Sequence, residues 1–378
     1  MLPSSSIYIH FPFCKSKCYY CNFFSEINSN LSHDEYIVLL LNESLQRKNY
    51  LNNTIVNSIY LGGGTPSVFD PKLISGLLNA LDKIFNVAKN AEITIEVNPD
   101  DITEEYLKIL SSYTNINRIS VGVQSFNDNE LKLINRRHSS EKAIKSLELI
   151  SKYYDNISID LIYSLPMQDL ESLNHNINIA LSFNPQHISA YSLTLEKETH
   201  LFKQIQKGEV NIPSEDEDVD FYLFLTEQLK NNGYDHYEIS NFCLQGYESK
   251  HNSAYWTGNT YLGLGPGAHS FNGVQRRWNL SSINTYKSKL ESGNNYFETE
   301  DINIISSFNE YIMLGLRTKK GISLDYISDK FGIEFLQNTK KALLLIPQQH
   351  IVEKDMSYAL NDAGMLFADK YASCFLFY

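Results

Sequence analysis

Six short apolar runs, at residues 7–11, 56–61, 92–97, 116–123, 157–163 and 187–193, recur along the first half of the chain with helical patterns in the gaps. Each is rich in β-branched residues or aromatics and is closed by proline, glycine or a polar residue, the pattern of a short buried strand. Ser32 with Glu35 three residues on forms a capping box that opens a helix reaching to about residue 50. Asp70-Pro71 and Thr103 open two more, the first with aspartate as cap and proline in the first turn. Strands alternating with helices at this rhythm imply right-handed βαβ units and a parallel sheet. Six such units suit an α/β fold built as an open or partial (β/α)6 barrel, in which chemistry collects at the C-terminal ends of the strands.

The first of those ends carries three of the five cysteines. Pro12 stops the run 7–11, and Cys14, Cys18 and Cys21 follow in a loop at C-x3-C-x2-C spacing. Three thiolates this close can hold three corners of a cubane iron-sulfur cluster. The fourth iron then lacks a protein ligand and stays open to a small molecule. A structural zinc site wants a fourth ligand at matching spacing, and the nearest candidate, His10, lies on the strand itself. A disulfide framework wants an even, regular set in a short secreted chain. Other strand ends carry Glu96, Gln124 and Asp160, and Arg136 follows the fourth strand. A carboxylate inside a buried strand is costly unless something pairs with it, so a structural ion pair is the competing reading. The glycine-rich 62–66 lacks the Lys-Ser/Thr ending of a phosphate loop and reads alone as a tight turn. Beside a cluster, its glycines let backbone groups approach a ligand closely.

C-x3-C-x2-C directly after a first strand resembles the radical S-adenosylmethionine (SAM) superfamily. In that superfamily the open iron chelates the amino and carboxylate groups of SAM's methionine. Tyr8, then GGGTP (62–66), IEVNP (95–99), RISVGVQSF (118–126), NRRH (135–138) and DLIYSLP (160–166), in this order, are similar to the oxygen-independent coproporphyrinogen III oxidase family. The likeness runs from about residue 6 to 275, and a C-terminal segment also fits. It implies Cys14, Cys18 and Cys21 as ligands of a [4Fe-4S] cluster. It implies Tyr8, Tyr20, Gly63, Gly64, Thr65, Glu96, Gln124, Arg136 and Asp160 as contacts to SAM, some of which serve a second SAM in the oxidases.

Two departures set the branch. The oxidases place a further cysteine two residues after the third, where this chain has Cys21-Asn22-Phe23, and they carry an N-terminal extension, where thirteen residues precede Cys14 here. Residues 237–242 (YEISNF), 251–256 (HNSAYW) and 261–269 resemble the haem-chaperone branch, which is characterised by H-N-x-x-Y-W, a motif tied to haem binding. This likeness implies His251 as a haem contact. A neutral imidazole is a common axial ligand of haem iron, and Tyr255 and Trp256 offer flat apolar faces. His269, in Gly-Pro-Gly-Ala-His, is a second candidate and Cys243 a third, although an isolated Cys, like Cys374, is more often a small buried hydrophobe.

The function so implied is a haem chaperone that binds haem as cargo and passes it to acceptor haemoproteins, membrane-bound respiratory haemoproteins among them. Cluster and SAM would then serve radical chemistry or govern a homodimer or haem release. The alternative is an enzyme that decarboxylates two propionates of coproporphyrinogen III, with a radical SAM methyltransferase third.

At 378 residues the chain divides by pattern into a core barrel (1–205), an extension with the H-N-x-x-Y-W region (206–300) and a small, mainly helical C-terminal domain (301–378). Ser214 heads an acidic run, 215–218, that reads as a solvated helix start. Ser307 with Glu310 is expected to cap a helix through residue 316, and Ser323 another that ends near Gly332. The pair resembles a helix-turn-helix. A net charge of −12 argues against nucleic acid as its partner and favours packing on the barrel. No run approaches 18 apolar residues and no signal pattern opens the chain, so it reads as a cytoplasmic protein without a membrane anchor.

Overall fold

The computed structural model describes residues 4–27 and 29–377. Its six core strands run parallel in sequence order: β1 (Ser4–Phe11), β2 (Ile55–Gly63), β3 (Val87–Val97), β4 (Arg118–Gln124), β5 (Ile157–Tyr163) and β6 (His187–Ser192). Helices His33–Gln46, Pro71–Ile84, Glu104–Tyr113, Ser140–Ile150 and Leu170–Ser182 form the crossovers. Their starts follow the side-chain caps: Ser32 and Glu35 close a reciprocal capping box, Asp70 accepts from Lys72, and Thr103 accepts from Tyr106. This is the partial (β/α)6 barrel.

Each strand sorts its residues by the two-residue period of a pleat. Ile7, Ile9, Phe11, Ile59, Leu61, Ile95, Ile119, Val121 and Ile159 join the continuous apolar core beneath the helices. The alternate positions are polar. Tyr60, Glu96, Arg118, Ser120, Asp160 and Ser189 line a cavity of about 580 Å³ on the other face.

Residues 206–300 form no layer of their own. β7 (Asp235–Glu238) and β8 (Asn241–Cys243) extend the sheet antiparallel beyond β6, and β9 (Thr260–Leu264) pairs parallel with β1. From β9 the sheet continues antiparallel through β10 (His269–Phe271), β11 (Gln275–Asn279) and β12 (Phe297–Asp301), making twelve strands in one sheet. An open barrel has two unpaired edges, and the extension satisfies both. The pattern boundary near residue 205 therefore divides the chain but not the sheet. A buried ion pair fixes the β9 side: Glu43 meets Arg47 at 3.3 Å and accepts from Gly265 N, Asn279 Nδ2 and Tyr286 OH.

Helix Glu215–Asn231 starts at the Ser214–Glu217 capping box. Its acidic first turn is exposed apart from Asp218, which accepts from the Ser164 and Ser192 hydroxyls and so ties the helix to the ends of β5 and β6. Beyond the main sheet, helix Ile304–Gly315 begins a turn earlier than the Ser307 cap predicts, because Asn303 accepts from Ser306 N at 2.8 Å and takes the cap position first. Ser323 caps helix Leu324–Phe331, Gly332 ends it at φ +96°, and helix Ile333–Leu343 follows. A second sheet, Ile322–Ser323, Ser357–Leu360 and Ile351–Lys354, was not legible in the pattern. Its hairpin turns on Asp355 and Met356 at φ +48° and +58°, a primed turn without the usual glycine. The C-terminal unit docks through Asp362, 2.8 Å from His236 Nδ1 and 2.5 Å from Lys230 Nζ. Among the described residues no helix is long and apolar enough to cross a membrane.

Candidate functional site

The cysteine loop is held in place from several directions. Phe13 bridges to Glu26, and Cys14 N donates to Glu26 O at 3.1 Å, folding the loop back over β1. Tyr19 N donates to Ile134 O and Asn135 Nδ2 to Lys17 O, so the turn after β4 grips the loop from the side. The end of β2 comes in from beneath. Gly64 N donates to Phe11 O and Thr65 N to Phe13 O, at 2.8 and 2.9 Å. A Cβ on Gly64 would sit 2.5 Å from Phe11 O, and one on Gly63, at φ +107°, would sit 2.3 Å from the His10 ring. These glycines are a close approach of two backbone segments, more than a tight turn.

Cys14, Cys18 and Cys21 are free thiols that line the mouth of the cavity. Thr65 Oγ1 lies 3.5 Å from Cys14 Sγ, and Arg136 reaches Cys18 Sγ at 3.5 Å and also donates to Gly122 O. Burial pushes the Cys21 thiol up. Among the described residues no three His, Cys, Asp or Glu side chains converge on a single ion position. Thiolates of a cubane each serve a different iron, whereas a one-ion zinc site gathers its ligands. Three free thiols, hydrogen-bond donors at two of the sulfurs and a glycine cradle beneath fit the cluster.

Below the mouth, Tyr20, Gly63, Gly64, Thr65, Glu96 and Gln124 line one cavity, and Arg136 and Asp160 line it too. Glu96 accepts from Tyr60 OH at 2.9 Å and from Gly63 N at 3.1 Å. Burial lifts its carboxyl to about 7, against the lowering effect of the Tyr60 hydrogen bond. Asp160 accepts from Ser120 Oγ at 3.0 and 3.1 Å, and burial raises it to about 6. Neither carboxylate is in a structural ion pair. Gln124 holds φ +71° beside a register shift between Gly122 and Gln124 in β4, a strained backbone at the strand end.

Two residues sit elsewhere. Tyr8 does not line the cavity: its hydroxyl meets His10 Nδ1 at 3.0 Å and its ring stacks on Tyr60. His251, on helix Lys250–Trp256, is 1 % exposed and closes the floor of the barrel. Its Nδ1 lies 3.0 Å from Ser58 Oγ, its Nε2 3.0 Å from Tyr255 OH, and its ring stacks on Tyr60. Burial drops its imidazole to about 3, so it is neutral, yet both ring nitrogens are engaged. Coordinating iron there requires breaking one of those bonds. The neighbouring Asn252 reaches the cavity instead. Cys243 is 0 % exposed in β8, while His269 is exposed and stacks on Trp278. Cys374 is exposed, not the small buried hydrophobe expected of it.

Sequence reasoning missed Arg118, Ser120, Ser189, Tyr191 and Asn252, all of which line the cavity. The signal was present as polar residues at every second strand position, in RISVGVQ and HISAYS.

A six-stranded parallel barrel with three free cysteines at its mouth defines the class, and the Radical SAM superfamily model matches residues 8–179. The chain resembles the coproporphyrinogen III oxidase HemN from Escherichia coli, a radical SAM enzyme, with a TM-score of 0.85 at 22 % identity, over 99 % of this chain and 90 % of that one, which establishes the fold. It is 36 % identical to the heme chaperone HemW of Lactococcus lactis, over 88 % of this chain and 86 % of that protein. It is 34 % identical to HemW of Bacillus subtilis, over 86 % and 87 %. A mitochondrial radical S-adenosyl methionine domain-containing protein 1 of Danio rerio is 32 % identical, over 84 % and 74 %. The chain belongs to the HemW heme-chaperone family of the radical SAM superfamily. Membership of that superfamily implies a [4Fe-4S] cluster and SAM.

Proposed function

We propose that the chain is a haem chaperone: it carries a [4Fe-4S] cluster on Cys14, Cys18 and Cys21, binds SAM at the mouth of the barrel, and holds haem for transfer to acceptor haemoproteins. The observation that carries the reading is family membership at 36 % identity over most of the chain, together with Phe23, 65 % exposed where the oxidases place a further cysteine. When bound, the cluster supplies an open iron for the methionine end of SAM and a source of one electron.

The chain's own residues do the rest. Glu96, ionised, accepts from the amino N–H groups of a ligand, and the Tyr60 hydroxyl and Gly63 N each donate to one of its two oxygens and orient the carboxylate. Gly63 and Gly64 let the end of β2 lie against His10, Phe11 and Phe13 and so bring their backbone to the cavity wall. Arg136, anchored on Gly122 O, places a positively charged donor beside the Cys18 sulfur. Asp160 and Gln124 accept and donate to polar groups further in.

The test is anaerobic titration of the cluster-reconstituted chain with haem, following the Soret band through gel filtration in wild type, His251→Ala and His269→Ala. Haem that co-elutes stoichiometrically supports the reading, and the variant that loses it locates the ligand. No retained haem, together with release of carbon dioxide from coproporphyrinogen III, overturns it in favour of the decarboxylase.

A further inference from the structure

Arg118 opens β4, is 2 % exposed and lines the cavity. Among the described residues it enters no ion pair, and its Nε is buried without a partner. Thr94, its register neighbour on β3, is 0 % exposed and its hydroxyl is likewise unpartnered. A buried guanidinium normally has its N–H groups hydrogen-bonded, so an unpartnered Nε here calls for an explanation.

Several polar neighbours at this depth are paired. Ser58 donates to Ser6, Ser158 meets His187 at 2.8 Å, and His187 Nε2 lies 2.9 Å from Tyr237 OH. Glu92 accepts from Lys250 N and His251 N. The charge of Arg118 holds the Glu96 and Asp160 carboxyls lower than burial alone would, yet neither takes a hydrogen bond from it. Glu96 takes its bonds from Tyr60 and Gly63, and Asp160 from Ser120, leaving the guanidinium fork free on the cavity side.

We propose that Arg118 is the anchor of a second ligand subsite deep in the barrel, taking a carboxylate, with Ser189 and Asn252 beside it as further hydrogen-bond partners. A planar fork matches a carboxylate through two parallel bonds. The preference rests on that paired N–H geometry, since the two nearby acids offset the charge of the guanidinium and disfavour a phosphate dianion still more. The carboxylate of a SAM at the open iron belongs at the mouth, so the ligand here is a separate molecule. The cavity volume of about 580 Å³ lies within the small-molecule range, about 300–1,000 Å³. The carboxylate comes either from a tetrapyrrole propionate or from a free small acid.

The full chain, cluster-reconstituted and SAM-saturated under anaerobic conditions, decides this by calorimetric titration with sodium propionate, haem and haem dimethyl ester. Wild type, Arg118→Gln and Arg118→Lys are compared at pH 8.5, well above both carboxyls in wild type, because loss of the Arg118 charge lets Glu96 and Asp160 rise. Propionate is expected to bind wild type saturably, Arg118→Gln at least tenfold more weakly, and Arg118→Lys in between, with SAM affinity equal in all three. Equal propionate affinity in all three, or no saturable binding to wild type, overturns the subsite. Should the Gln variant also lose SAM through misfolding, the Lys variant decides alone: charge without the fork must weaken propionate severalfold. Haem weakened by the substitution while its dimethyl ester is not identifies the source as a propionate side chain; haem unaffected identifies a free acid. A wild type that takes propionate but no haem breaks the chaperone reading and leaves the subsite standing.

Discussion

The mouth and the floor of this barrel are built from the same strands and are equally polar, yet they spend their polar groups in opposite ways. At the mouth, three thiols, Glu96, Asp160 and Arg136 face open space with bonds to spare. At the floor, Ser6, Ser58, Ser158, His187, Glu92 and His251 are bonded to one another. The difference separates polar residues that await a ligand from polar residues that seal a sheet. Arg118 is the exception on the wrong side of the line.

The sharpest way to break the comparison is a double dissociation. Replacing any one of Cys14, Cys18 or Cys21 by Ser is expected to abolish the brown colour and bound iron. The same change should leave the denaturant midpoint of the cluster-free chain within about 0.5 kcal/mol of wild type, as for a site away from packing. His251→Ala should do the reverse. It leaves a cavity and strips the partners of Ser58 and Tyr255, costing about 2–4 kcal/mol in urea unfolding, while iron content after reconstitution is retained. A His251→Ala chain of full stability would move that residue from the floor to the ligand-binding side.

Gly64→Ala tests whether the mouth is rigid. Its new Cβ meets backbone oxygen at 2.5 Å from Phe11, not the yielding end of a side chain. A destabilisation of about 1–3 kcal/mol is expected, with slower cluster uptake because the loop that carries Cys14 must shift. An unchanged unfolding midpoint would show that β2 and the loop can part freely.

The mouth was legible in the sequence because its signals are local. Cysteine spacing, GGGTP and Glu96 before Asn98-Pro99 each announce themselves within a few residues, and the strand rhythm places them on one face. The floor was not, because it is assembled across distance: Ser58 meets His251 across 193 positions and Ser158 meets His187 across 29. Read alone, His251 is an ordinary structural or surface histidine, and only the likeness of H-N-x-x-Y-W to the haem-chaperone branch makes it a ligand candidate. Only the fold shows Ser58 and Tyr255 on its two nitrogens. The edge strands β7 to β12 were missed for a related reason, since runs of three to five residues carry too little period to register.

Protonation sharpens the contrast further. Glu96 is raised to about 7 by burial, so between pH 6 and 8 its ionised fraction rises about tenfold. SAM affinity, measured by equilibrium dialysis on the reconstituted chain, is expected to rise about tenfold over that interval if ionised Glu96 receives the ligand's amino N–H groups. Stability of the ligand-free chain runs the other way. A carboxyl whose folded pKa exceeds its unfolded value contributes stability that is complete below about pH 4.5 and is lost as pH rises through 7. Affinity and apo stability that rose together would remove Glu96 from the ligand-binding side of the comparison.

The smallest effect is the most selective. Tyr60 belongs to both regions, since its ring stacks on His251 below while its hydroxyl donates to Glu96 above. Tyr60→Phe keeps the ring and deletes only the donor. The hydrogen bond holds the Glu96 carboxyl down against burial, so its loss moves the SAM affinity curve to higher pH. At pH 7 that is a weakening of about two- to fivefold, recovered by pH 9, from a shift of roughly half a unit to one unit. Floor stability should change by less than about 1 kcal/mol, because no packing atom is removed. A pH-independent loss of SAM would instead mean that the hydroxyl touches the ligand itself, and a large loss of stability would mean that mouth and floor are one cooperative network joined through this side chain.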